Sequence, residues 1–310
     1  MESLSLTVSA YREHSHMSHS IQHYAKQWEK NAQLDPLYAV LTDDRCAGGT
    51  WSLDDFFATG EKEIRLIFDY MRQSGVSVEP GTFLDFGCGV GRASRPLQTR
   101  FAAGYGVDIS PRMIDLARQY VPKVNFHVNQ KDCLTFIESE TLDFVFSHIV
   151  LQHMNSDLQK KYIREFFRVL KPGGLAAFQI PTEILGGNRE EVSIKIRDRL
   201  KEAIPGFQQV YGYYRRRRKE KKQQEKLKRL EHLDPEIFVE MHCLPDEHVR
   251  ELCDESGCAI ERVAATNSLD THRHHGKIEF YDPKKQITLL RRGRIRHRLS
   301  RMYFVRKLSI

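Results

Sequence analysis

Apolar positions along this chain fall into two alternating rhythms. Short, largely apolar runs of strand length occupy residues 83–86, 104–109, 124–128, 142–147 and 175–180. Between them the spacing turns helical. A helix is expected over residues 92–99, and a second opens at Ser110-Pro111 with Met113, Ile114, Leu116 and Ala117 on one face. A third follows the capping residues Asn155-Ser156-Asp157, presents Leu158, Tyr162, Ile163, Phe166, Phe167 and Leu170, and is stopped by Pro172-Gly173-Gly174. Strand and helix alternating in this way predict an α/β doubly wound sheet.

Other rhythms flank this region. Ile21, Tyr24, Ala25 and Trp28 recur at helical spacing, as do Ile64, Ile67, Phe68 and Met71. A loop at Gly48-Gly49-Thr50-Trp51 separates them, and residues 53–60, with Phe56-Phe57 and Thr59-Gly60, lead into the second helix. Residues 1–80 are therefore expected to form a helical cap. Downstream, residues 183–242 interrupt the alternation with a mostly helical, basic insertion that contains Phe207, Tyr211, Tyr213 and Tyr214. It leaves the sheet at the carboxyl edge, where ligands bind in such sheets, and is read as a lid over the site. A helix over 244–252, a sixth strand over 259–265, a hairpin over 278–290 and a last strand over 300–307 complete the chain.

The first strand runs into Asp85-Phe86-Gly87-Cys88-Gly89-Val90-Gly91-Arg92. Glycines at alternate positions let a backbone turn sharply and leave no Cβ between chain and ligand. In the dinucleotide fingerprint the third glycine falls three residues after the second. Here Gly91 follows Gly89 by two, which favours a nucleoside. Asp85 is placed to meet a cation. Asp108 ends the second strand 23 residues later, the distance at which an acid takes ribose hydroxyls. Met113 faces the same nucleoside, and Asp132-Cys133 follows the third strand, where an acid can accept from an adenine amine.

These segments, with Leu142-Asp143-Phe144-Val145-Phe146-Ser147-His148 and Phe167-Arg168-Val169-Leu170-Lys171-Pro172-Gly173-Gly174, resemble the successive motifs of the class I S-adenosylmethionine-dependent methyltransferases over residues 82–182. The resemblance implies a Rossmann-like sheet of seven strands with the last antiparallel, inserted between the fifth and sixth. It divides the chain into the cap (1–80), a methyltransferase core (81–182 and 243–310) and the lid (183–242). It implies S-adenosylmethionine as cofactor, bound by Asp85, Gly87, Cys88, Gly89, Gly91, Arg92, Asp108, Ile109, Met113, Asp132, Cys133 and Ser147, with Thr59 and Gly60 beside them.

An oxygen acceptor must lose a proton, and histidine is the natural base near neutral pH. His153 matches the position where small-molecule relatives of the family carry a histidine near the transferred methyl, and is the first choice; His148 is the second. Ser147-His148-Ile149-Val150 stands where adenine-nitrogen methyltransferases carry Asn/Asp-Pro-Pro-aromatic, so base methylation of that type is disfavoured. Neither a cysteine nucleophile nor metal-ligand acids occur there. The expected reaction is metal-independent methylation of a hydroxyl, or an amine, on a sugar, glycolipid precursor or specialised metabolite.

Charge adds a second reading. The net charge is +7, yet residues 215–229 and 291–307 each sum to +8, which leaves the remainder at −9. Such runs attract phosphate, on a conjugated acceptor or an anionic membrane surface; with the nearby tyrosines they also suit RNA or another polyanion, the alternative acceptor. No apolar run approaches the ~20 residues of a membrane span, and the first residues lack a secretory pattern. A cytoplasmic protein, peripheral at a membrane if the basic runs engage one, is expected. Six scattered cysteines form no Cys-x-x-Cys pair, and neither His242-Cys243 with Cys253 and Cys258 nor the histidines at 14, 16, 19 and 23 are read as a metal site.

Overall fold

In the strands of the computed structural model, neighbouring side chains take opposite faces, as a two-residue repeat requires. Phe83, Phe144, Phe146, Met302 and Phe304 join one buried cluster, and Leu84, Phe86, Val145, Tyr303 and Val305 the other. The structure describes residues 20–41, 46, 49–184, 241–266, 280–281 and 298–309. The strands are β1 (Thr82–Phe86), β2 (Ala103–Asp108), β3 (Asn125–Val128), β4 (Leu142–Ser147), β5 (Leu170–Ile184), β6 (Cys258–Thr266), β7 (Phe280–Tyr281) and β8 (Arg298–Lys307). Their order is β3-β2-β1-β4-β5-β8-β6-β7. β1 to β5 pair in parallel and β8 runs antiparallel between β5 and β6. The expected seven strands are present, and the two residues of β7 add an antiparallel edge to β6.

The helices are α1 (Ile21–Leu34), α2 (Pro36–Val40), α3 (Leu53–Gln73), α4 (Ser94–Leu97), α5 (Pro111–Tyr120), α6 (Ser156–Val169) and α7 (Asp246–Glu255). α3 covers one face of the sheet with Phe56, Ile64, Ile67 and Met71, while α6 and α7 cover the other. Caps behave as the sequence implies: the side chains of Ser110 and Asn155 accept from the amides of Met113 and Leu158.

Three elements differ from expectation. Residues 53–60 are the first turns of α3 rather than a lead-in, because Gly60 allows the helix to pass against the glycine turn; a Cβ there would lie 2.1 Å from the Arg92 carbonyl oxygen. The helix expected over 92–99 is the single turn of α4. Helix α6 ends at Val169, and Leu170 already pairs with Leu142, so β5 begins before Pro172-Gly173-Gly174 and absorbs these residues as a register irregularity. β5 also runs on to Ile184, two residues into the assigned insertion.

Three cations of the second basic run are paired with acids. Arg301 pairs with Asp246, Arg306 with Glu261 and Lys307 with Glu140, so these cations fasten β8 to its neighbours. The run at 215–229, nearly all of the lid, most of the hairpin and His14, His16 and His19 lie outside the described residues. Among those described, no helix is long and apolar enough to cross a membrane.

Candidate functional site

A cavity of about 290 Å³ opens at the carboxyl ends of β1, β2 and β4, the edge at which doubly wound sheets bind ligands. Its floor is the β1–α4 turn. Gly87, Gly89 and Gly91 all hold positive φ (75°, 53° and 89°), which side chains adopt at a cost. Their missing Cβ atoms serve packing as well. A Cβ on Gly87 would meet Val150 at 2.4 Å, and one on Gly89 would meet Val40 of α2 at 2.5 Å.

Asp108 holds this turn in place. One carboxylate oxygen accepts from the Gly89 amide (2.9 Å) and the other from the Ser110 amide (3.0 Å). Burial raises the Asp108 pKa against the pull of these amides. Asp85 accepts from Ser94 Oγ at 2.5 Å. Burial, opposed by Ser94 and Arg92 and reinforced by Glu63 and Asp108, pushes its carboxyl up to about 7. Burial, then Asp108 and Asp85, also keeps the Cys88 thiol protonated, so it is a neutral part of the wall.

A third acid, Glu63 of α3, was not anticipated. Its carboxylate lies 2.8 Å from Arg92 Nη2 and 3.1 Å from His148 Nδ1, with all three side chains buried. Burial alone would raise its pKa, but Arg92 and then His148 overcome that and take it to about 2. The signal was in the sequence: Glu63 occupies the apolar stripe of α3 between Phe56 and Ile67, and a carboxylate on a buried stripe needs a partner.

The roof comes from the cap. Ile21, Tyr24 and Trp28 of α1 line the cavity, as do Ala39 and Val40 of α2. Two clasps hold α1 down: Glu29 accepts from Ser110 Oγ (2.6 Å) and the Arg112 amide (3.2 Å), and the Tyr24 hydroxyl accepts from the Asn155 amide (3.1 Å). Behind β4, Ile149 adopts φ 61°, a strained conformation for a β-branched residue, with its amide fixed by Gln179 Oε1 at 2.9 Å. This kink sets His148, Val150 and His153 on the cavity wall, where Trp28 meets the His153 ring edge to face at 5.3 Å.

Of the expected site residues, Asp85, Gly87, Cys88, Gly89, Arg92, Asp108, Ile109, Met113, His148 and His153 line this cavity. The others stand off it. Thr59 and Gly60 contact Arg92 from α3, and Gly91 faces Val121. Ser147 is buried with no partner for its hydroxyl among the described residues. Asp132, with Cys133 beside it, points to solvent and is engaged by Lys161, whose ammonium keeps the carboxyl below its usual range. The position expected of Asp132 is taken by Asn129, which directly follows β3, lines the cavity and donates to the Tyr162 hydroxyl at 3.3 Å. Among the described residues no cluster of three His, Cys, Asp or Glu side chains is arranged to hold a metal.

Residues 84–178 match the family model described as a methyltransferase domain. Trans-aconitate 2-methyltransferase of Azoarcus sp. strain BH72 is 28% identical over 134 residues, 43% of this chain and 51% of that protein. An uncharacterized methyltransferase of Bacillus cereus strain 03BB102 is 27% identical over 128 residues, 40% of this chain and 60% of its own length. The chain thus spans about half the length of the curated relatives it matches. Among solved structures, a SAM-dependent methyltransferase of Leishmania major superposes with a TM-score of 0.51 at 12% identity, covering 92% of this chain and 82% of that one. Magnesium protoporphyrin IX methyltransferase of Synechocystis PCC 6803 with bound SAM gives 0.50 at 12% identity over 95% and 100%. At such identities the likeness is one of fold.

Proposed function

We propose that this chain, which belongs to the methyltransferase-domain family through residues 84–178, is an S-adenosylmethionine-dependent methyltransferase acting on a hydroxyl or amine of a small acceptor. The observation that carries the reading is the single cavity that brings Asp85, the glycine turn and Asp108 together with a histidine-bearing wall. These residues fit the cofactor. Asp108 is an acid at the end of β2 suited to a ribose diol, Asn129 and Met113 border the side suited to the base, and Asp85 is a buried carboxyl awaiting a positive partner. When bound, S-adenosylmethionine supplies an electrophilic methyl on a sulfonium. The protein aligns the acceptor with that methyl, excludes water beneath α1 and α2, and accepts the acceptor's proton.

Size and charge support a small, uncharged or cationic acceptor. A volume of about 290 Å³ lies at the lower end for ligand pockets. The described lining carries three acids, and the guanidinium of Arg92 is already matched by Glu63. We therefore do not carry over a tricarboxylate acceptor from the relatives named for trans-aconitate. Arg301, Arg306 and Lys307 of β8 are matched by acids and lend nothing to a polyanion reading. The test is calorimetry with S-adenosylhomocysteine, followed by S-adenosylmethionine turnover against a panel of small alcohols, phenols, sugars and amines. Heat at micromolar ligand with turnover on a panel member is expected. No heat with either nucleoside refutes the proposal, and turnover only on RNA replaces the acceptor class.

A further inference from the structure

The cavity has two ends, and strand order tells them apart. Asn129 follows β3, Asp108 ends β2 and Asp85 lies in β1, so the groups suited to the cofactor occupy the β3-β2-β1 side of the sheet. The other end lies toward β4 and β5. Its described lining includes Val150, His153 and Met154 from the segment after β4, Trp28 from α1, and Met241. Met241 is carried there by the backbone that follows it: the His242 amide donates to the Gln152 carbonyl (2.7 Å), and the Leu244 amide to the Pro181 carbonyl of β5 (2.9 Å). The chain leading into α7 is thereby pinned across this end.

That end is apolar in character. Trp28, Val150, Met154 and Met241 line it and are half-buried rather than sealed in the core. The polar side chains beside them are hydrogen-bonded within the protein. Gln179 Nε2 donates to Gln152 Oε1 (3.4 Å), Gln152 Nε2 lies 3.1 Å from His153 Nε2, and the Tyr24 hydroxyl accepts from the Asn155 amide. Glu63 is engaged by both Arg92 and His148. A sugar carries a hydroxyl on nearly every carbon, and each one taken out of water needs a partner in the protein. An apolar ring needs none. It gains by leaving water and packs against thioethers and against ring pairs such as Trp28 with His153.

Resting on the methyltransferase reading, we infer that the acceptor is an apolar ring compound bearing the reacting hydroxyl or amine, of the aryl alcohol, phenol or arylamine kind rather than a sugar, and that Met241 and Trp28 set its size. Both residues act on specificity. They stand at the end of the cavity away from Asn129 and Asp108, so a change at Met241 bears on the acceptor and a change at Asn129 on the cofactor.

The chain has two tryptophans, at 28 and 51. Trp51 packs against Phe56 and donates its indole N–H to the Leu41 carbonyl (3.3 Å), so Trp51→Phe leaves Trp28 as the sole reporter. With S-adenosylhomocysteine bound, benzyl alcohol should change the Trp28 emission saturably, and xylose should leave it unchanged. Turnover should follow the same order, with kcat/KM for benzyl alcohol, phenol or aniline at least about tenfold above that for xylose or glucose. Met241→Ala should raise KM for the aryl acceptor about tenfold while kcat and S-adenosylhomocysteine affinity stay within about threefold; Asn129→Ala should move the cofactor affinity and leave the acceptor KM in place. A general loss of structure would move both together. Faster turnover of a sugar, or an acceptor KM indifferent to Met241→Ala, overturns the inference. Heat with S-adenosylhomocysteine but no turnover of any aryl compound also overturns it and leaves the cofactor reading standing, whereas no heat removes both.

Discussion

Asp85 is costly to the fold and useful to the site, and replacing it by asparagine separates the two. Its folded pKa of about 7 stands above the ordinary 3.8 because burial strips water from the carboxylate, and the Ser94 bond and Arg92 only partly compensate. Between pH 3.8 and 7 the folded protein therefore binds more protons than the unfolded chain, so stability falls as pH rises through that window and levels off above it. At 1.36 kcal/mol per unit, the two units from pH 5 to 7 amount to about 3 kcal/mol. Asparagine keeps an oxygen for the Ser94 hydroxyl and does not titrate, so Asp85→Asn should escape this loss. Urea denaturation at pH 5, 6, 7 and 8, taken as the difference between variant and wild type, cancels every other titrating group. The difference should grow toward high pH by about 3 kcal/mol in favour of the variant, at constant m-value.

The ligand side carries the opposite sign. A cation in the cavity favours the ionised carboxyl, so S-adenosylmethionine should release close to one proton on binding below pH 7, and its affinity should fall about tenfold per unit of acidification there. Calorimetry in two buffers of different ionisation enthalpy reads that proton directly. In Asp85→Asn both the proton and the pH slope should disappear. A stability difference that does not change with pH would show that Asp85 ionises at an ordinary value, and the argument from desolvation would fail.

Glu63 should act in the reverse direction. Its pKa is lowered from 4.5 to about 2, so it contributes about 3 kcal/mol above pH 4.5 that is lost as pH falls toward 2; acid unfolding of Glu63→Gln should be correspondingly shallower. Asp132→Ala, which breaks an exposed pair with Lys161, should leave S-adenosylhomocysteine affinity within about threefold, while Asn129→Ala should weaken it by about tenfold or more; equal losses would return Asp132 to the site. Glu29→Ala removes two bonds that clasp α1 to the start of α5, and should speed S-adenosylhomocysteine dissociation in stopped-flow by about tenfold, the equivalent of one charge-assisted bond.

What the sequence showed and what it hid follow from the range of the interactions involved. Strands and caps rest on local pattern: the run Phe83 to Phe86, the Ser110-Pro111 start and the Asn155 cap each needed only a few neighbours to be recognised. Gly60 inside α3 and Pro172-Gly173-Gly174 inside β5 read as punctuation, because the contacts that admit them, with Arg92 and with β4, lie far along the chain. Asp108 and the glycine turn were legible because a ligand-binding turn is a local object. Glu63 was not, since its partners Arg92 and His148 stand 29 and 85 residues away. The same holds for His148 and His153. Their partners, Glu63 of α3 for His148 and Gln152, held by Gln179 of β5, for His153, are encoded by no spacing within the β4–α6 segment.

Three carboxyls on one cavity wall would repel one another if all were equally charged, and their surroundings keep them apart. Glu63 is ionised by Arg92 and His148. Asp108 is raised by burial, yet anchored by the backbone amides of Ser110, Gly89 and Ile109. Asp85, with a hydroxyl donating to it directly, is pushed up to about 7 by burial. A wall built to receive an anion would present spare donors, whereas this one presents a guanidinium already matched by Glu63 and a carboxyl that gains stability from any cation placed beside it. The arrangement thus selects a ligand that arrives positively charged and leaves neutral.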